Sequence, residues 1–169
     1  VVQKDTLGPY AESSSIYDDI WRRISGMPGV YQAANITYLT MQVGKQDGDV
    51  RAMVTGVTPG KPGTPGWPTH LVAGRQITRS HYEAVADIAS GFKLGDRIQI
   101  RRNHYTIVGL TRRMVSSNGD PMVFIPLKDA QEAQFLKDND AIREQRRRTI
   151  ENPIFNRPGV PGLVDAVIA

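Results

Sequence analysis

The chain of 169 residues has no cysteine. This excludes thiol catalysis, cysteine-ligated zinc and disulfides, and it permits an oxidising compartment without requiring one. Aromatic residues make up only 7%, so stacking platforms for bases are few. The histidines, His70, His81 and His104, stand apart in the sequence. None belongs to a His-Glu-x-x-His pattern, and no carboxylate cluster has metal-ligand spacing. No Gly-x-Ser-x-Gly elbow occurs. Gly56 to Lys61 does not make a phosphate loop, because Pro62 stands where Ser or Thr is needed. Asp18, Asp19, Asp138 and Asp140 read as capping and surface charge. No apolar run approaches the ~20 residues of a membrane span. These absences point to a non-catalytic protein with no metal and no cofactor.

What is present is enough to fold. A chain of this length makes one domain or two small lobes and buries a core without staples. The formal net charge of +4 is modest and its basic residues are dispersed, so it does not by itself imply nucleic acid. Val1-Val2 reads as a short strand. Ser15 and Asp18 make a capping box, and Ile16, Ile20 and Ile24, with Trp21 beside them, share one helix face that Gly26 and Pro28 end. Val30–Val43 is β-branched and aromatic and reads as one long strand or two short ones. Gly44–Gly48 is a hairpin loop and Val50–Val57 the returning strand, with Val50, Ala52, Val54 and Gly56 on one face. Thr58–Thr69 is too rich in Gly and Pro for helix or ladder and must be a loop. Its Trp67 either packs back on the body or meets a partner. His70–Gly74 reads as a strand. The spacing of Tyr82, Val85, Ala86 and Ala89 predicts a helix over Thr78–Ser90.

The most ordered stretch is Gly91–Leu127. Ile98 and Ile100 alternate with Arg97 and Gln99, Tyr105–Leu110 follows, and Arg102-Asn103-His104 is short enough to close a hairpin. Thr111–Pro121 is a polar excursion in which Met114 and Val115 are the only apolar side chains and Ser116-Ser117-Asn118-Gly119-Asp120 is the tip. Met122–Ile125 is a third strand, ended by Pro126. Asp129 can cap a helix with Ala130, Ala133 and Leu136 or Phe135 inward, running with interruptions to about Asn152. Arg143–Arg148 is the densest basic run and reads as a solvated helix face. Leu163–Ile168 suits a final strand near the N-terminal one.

The Gly91-x-x-Leu94-Gly95-Asp96-x-Ile98-x-Ile100 turn and strand, the Tyr105-Thr106-Ile107-Val108-Gly109-Leu110 strand, and Val123-Phe124-Ile125-Pro126-Leu127 leading into Lys128-Asp129-Ala130-Gln131 carry a resemblance. In order and spacing they are similar to the extracytoplasmic domain of MacB-like ABC transporter permeases, more narrowly the DevC-like branch of the FtsX-like permease superfamily. Leu71-Val72-Ala73-Gly74-Arg75 resembles the family's Leu-x-x-Gly-Arg signature, and Pro28-Gly29-Val30 its turn into a strand. The family pattern places a hydrophobic strand and then a helix between the Gly-Arg and Gly-Asp turns. Here that stretch, Ser80–Ser90, is more polar.

The resemblance implies an α+β fold with two lobes. Residues 1–69 and 122–169 would form a discontinuous βαβ-type lobe, and residues 70–121 an inserted β-rich lobe. It also implies a domain cut out between two membrane helices on the periplasmic side of the bacterial inner membrane. Such a domain is non-catalytic. It couples ATP hydrolysis by a cytoplasmic ATPase subunit to export or extraction of a lipid-like or amphipathic cargo, through a periplasmic adaptor (membrane fusion) protein and beside a second permease copy as a homodimer. Loops on a stiff scaffold carry recognition, so Trp67, Met114, Val115, Ser116, Ser117 and Asn118 are the candidate partner contacts. A different class also fits the composition: a small basic β-rich module that binds nucleic acid through Arg97, Arg101, Arg102, Arg112 and Arg113 beside Tyr105.

Overall fold

The computed structural model describes residues 17, 19–45, 47–60 and 63–136. The chain divides into two units, Val1–Gln134 and Phe135–Ala169, and every described strand lies in the first. The Val1-Val2 strand, the Ser15–Asp18 capping box, Arg143–Arg148 and Leu163–Ile168 fall outside the described residues.

Helix α1 spans Ile20–Ser25. Ile20, Trp21 and Ile24 form its less exposed side, as their spacing demands, but none is fully buried. The strands are β1 (Thr37–Lys45), β2 (Gly48–Val57), β3 (Leu71–Gly74), β4 (Glu83–Asp87), β5 (Arg97–Ile100), β6 (Asn103–Thr111) and β7 (Met122–Pro126). A 3-10 turn, Ile88–Ser90, follows β4, and a helix, α2, begins at residue 127 and is described to 136. The fold is α+β, dominated by one mixed sheet.

The sheet order is β3-β6-β4-β7-β2-β1-β5, and β5 pairs again with β6. The pairings therefore return to their start, and β6, β4, β7, β2, β1 and β5 form a closed ring with β3 outside it. β6 makes this possible by dividing one flank. Residues 103–106 pair with β5, and residues 109–111 pair with β3. Its other flank runs parallel to β4. β7 is parallel to β2 and antiparallel to β4. The third apolar strand is thus no continuation of the β5–β6 hairpin. It closes the ring between distant segments.

Alternation along the strands sorts side chains into two cores. One cluster draws on every ring strand: Leu39 and Val43, Ala52 and Val54, Ala84 and Ala86, Ile98 and Ile100, Tyr105 and Ile107, Val123 and Ile125. That set is the ring interior. Six strands enclose less space than the eight that just accommodate side chains, which explains alanines at Ala52, Ala84 and Ala86. Ala130 and Ala133 of α2, two residues of the expected inner face, belong to the same cluster; of the alternatives for the third, Phe135 is exposed and Leu136 half-buried. Gly56 admits the helix, since a Cβ there would lie 2.5 Å from the Ala130 Cβ. The second cluster lies on the other face of β2, β4 and β7, where Met53, Val57, Val85, Met122 and Phe124 meet Trp67 and Ile77.

The expected helix over Thr78–Ser90 is wrong. Glu83–Asp87 is a strand buried along its whole length, between β6 and β7, where the resemblance places one. The β5–β6 turn is Arg101-Arg102, because Asn103 already pairs with Ile100; His104 is exposed on β6 rather than in the turn. Pro126 still pairs, with Val57, at the end of β7. Asp129 does not cap α2, which begins before it; its carboxylate turns towards the loop before β4. Strands β1, β2 and β7, from the two segments of the expected discontinuous lobe, are neighbours in the sheet. β4 and β5, from residues 70–121, continue that sheet on either side.

Candidate partner-docking site

β4 and β6 run towards one end of the ring and β7 leaves it, so Asp87, Thr111 and Met122 cluster there. The excursion between β6 and β7 forms that end. Its backbone is held at many points. Asp87 is 1% exposed, and its carboxylate accepts from Ala89 N (2.9 Å), Met114 N (2.7 Å) and Thr111 Oγ1 (3.4 Å). Met122 N donates to Met114 O, Ser116 N to Asp120 O, and Gly119 N to Ser116 O. Ser116 Oγ accepts from Asn118 N and Asp120 N. Met53 N donates to Pro121 O, and Arg51 pairs with Asp120 at 3.3 Å. A loop restrained in this way displays its side chains at little further entropic cost.

The candidate contact residues separate into two roles. Val115 is 43% exposed, and Ser117 and Asn118 are exposed. Ser116 is buried and builds the turn. Trp67 is 4% exposed and packs in the second core, with Met114 against the same cluster. The Gly/Pro-rich loop and the excursion, unrelated in sequence, therefore share one apolar cluster beneath the tip. Trp67 is a core residue of that cluster and not a surface contact. Ile88, in the turn after Asp87, adds an exposed apolar side chain at the same end.

Two further buried carboxylates organise the region away from the tip. Glu83 accepts from both guanidinium NH groups of Arg75 and from the N–H groups of Thr78 and Arg79. The Arg75 guanidinium, helped by those N–H groups and opposed by burial, holds the Glu83 carboxyl down at about 2. Arg75 of the Leu-x-x-Gly-Arg motif thus pins the loop that leads into β4. Asp129 of α2 receives His81 Nδ1 at 2.5 Å and Tyr82 N at 3.2 Å. Burial first, and then the nearby Asp129 charge, push the Tyr105 phenol upward. His81 and Asp129 are 48 residues apart, so spacing in the sequence gave no sign of the pair.

Among the described residues no hydroxyl hydrogen-bonds the His81 ring, and no group of three or more metal-ligating side chains converges. Tyr105 is 1% exposed and offers no face to a base. Arg101-Arg102 and Arg112-Arg113 flank opposite ends of β6 instead of lining one groove.

A family model described as the MacB-like periplasmic core domain matches residues 1–150. No curated protein matches the chain. Among solved structures, the extracellular domain of the noncanonic ABC-type transporter YknZ from Gram-positive bacteria aligns with a TM-score of 0.56 at 13% identity, over 78% of this chain and 72% of that one. The periplasmic region of MacB from Actinobacillus actinomycetemcomitans aligns with a TM-score of 0.48 at 13% identity, over 63% of this chain. The match spans about half the length of that MacB region, 53%.

Proposed function

Because the chain belongs to the family of MacB-like periplasmic core domains, we propose that it is the extracytoplasmic domain of an ABC transporter permease. In this reading it performs no reaction and passes on motion generated by a cytoplasmic ATPase subunit. A periplasmic adaptor docks on the tip, a second permease copy stands beside it, and the cargo is lipid-like or amphipathic. The domain sits on the periplasmic side of the inner membrane, anchored by flanking membrane helices. Residues 70–121 carry the tip.

The observation that supports this most is the construction of the 111–121 excursion. Its backbone is fixed by Asp87 and Ser116 while Val115, Ser117 and Asn118 face outward. A force-transmitting part needs this combination of stiff framework and displayed contact. The test is affinity purification of the full-length permease from its native membrane. Recovery of an ATPase subunit and an adaptor supports the reading, and recovery of neither overturns it. The nucleic-acid alternative predicts tight, salt-sensitive binding of single-stranded oligonucleotides; the burial of Tyr105 weighs against it.

A further inference from the structure

The tip carries a pair of cations that its fold does not use. Arg112 and Arg113 are consecutive and exposed, and neither makes an ion pair among the described residues. The acids of the same end are already committed. Asp87 is buried against the N–H groups of Ala89 and Met114, and Asp120 holds Arg51. Arg113 also sits at φ 63, a left-handed conformation that glycine or asparagine adopts more cheaply. Asp87 fixes Met114 directly after it, so the fold maintains this backbone conformation and the direction in which the side chain leaves it.

Resting on the proposed role of the tip, we propose that Arg112 and Arg113 are its specificity-determining contacts and that they receive a carboxylate-rich segment of the docking adaptor protein. Planar guanidinium forks match carboxylates in a bidentate fashion. Val115 and Ile88 supply small apolar contacts beside them, with Ser117 and Asn118 as a polar rim, the usual anatomy of a protein interface. A membrane surface fits less well, since residues 111–121 contain no aromatic anchor.

The test measures binding of the adaptor protein recovered with the full-length permease to the full 169-residue chain, at low and at high salt. The chain is compared with the double variant Arg112→Glu/Arg113→Glu and the milder Arg112→Gln/Arg113→Gln, each checked for an unchanged thermal midpoint. Weakening of about tenfold or more by charge reversal, less by neutralisation, with the difference shrinking at high salt, supports the assignment. Rescue of the reversed variant by an adaptor whose tip acids are changed to lysine supports it further. If wild type binds and both variants bind equally well, this inference fails while the docking role stands. If wild type does not bind, the docking role fails and takes this inference with it. Sedimentation with phosphatidylglycerol vesicles is the competing arm: wild-type binding that the variants lose would give the arginines to lipid phosphates and overturn the proposal.

Discussion

Glu83 shows how a single side chain can set a loop. Its carboxylate is nearly buried, while its partner Arg75 is half exposed. Solvent screens that side of the pair, so Glu83→Gln should cost about 2 kcal/mol rather than the larger penalty of breaking a fully buried pair. The folded protein holds this carboxyl at about 2 against an ordinary value of 4.5. A depressed value means that the contribution is complete above about 4.5 and is lost as pH falls towards 2. Urea unfolding between pH 6 and about 2 should therefore show wild type losing its advantage over Glu83→Gln across that window. A constant difference down to the lowest pH would refute the account. Gly74 of the same motif is constrained by space. It lies at φ 76, and a Cβ there would sit 2.2 Å from Val108 O. Gly74→Ala should destabilise by about 2–3 kcal/mol, measured as a shifted denaturant midpoint at constant slope.

At the scale of elements, the anchored tip and the seated helix make separate predictions. Asp87→Ala leaves the N–H of Met114 unsatisfied and should speed amide exchange in residues 111–121, with β5 and the first half of β6 unchanged. Gly56→Val pushes a branched side chain against Ala130 and Leu127. It should lift α2 from the ring, read as lost helical ellipticity and about 1–3 kcal/mol of stability. Some elements were legible in the sequence, and others were not, for physical reasons. Ile98 and Ile100 announced β5 because its partners Arg97 and Gln99 face water. β4 gave no such signal. Ala84 and Ala86 enter one core and Val85 the other, with the buried carboxylates Glu83 and Asp87 on either side of Val85, so the apolar/polar alternation that marks a half-exposed strand is absent. The polar excursion at 111–121 was visible from composition, but its anchor was not. Asp87 and Met114 are 27 residues apart, and only the parallel pairing of β4 with β6 brings them together. Trp67 left core and contact both open, with packing favoured, because the choice depended on the position of β3 and of Met114.

For the whole molecule, ring closure is the dominant fact. The interior cluster takes side chains from every ring strand, so no strand can leave without opening all the others. Ile107→Ala should cost about 2–4 kcal/mol. Strand ellipticity and the emission of the buried Trp67 should then be lost at the same denaturant concentration. Separate transitions would show that the two cores unfold independently. The pairings that close the ring, β2 with β7 and β4 with β6, join distant segments, which is why most of the separate strands, β4 excepted, could be read from the sequence but the ring could not.

Three of the chain's five methionines, Met53, Met114 and Met122, gather with Trp67 in the cluster beneath the tip. None of them enters the ring interior. Thioether chains are unbranched and repack readily. Mutations accumulating in the outward loop are therefore cushioned by a pliable layer before they reach the tightly fitted alanines and isoleucines. In evolutionary time, such a scaffold can exchange one binding preference for another while its foldability is inherited unchanged.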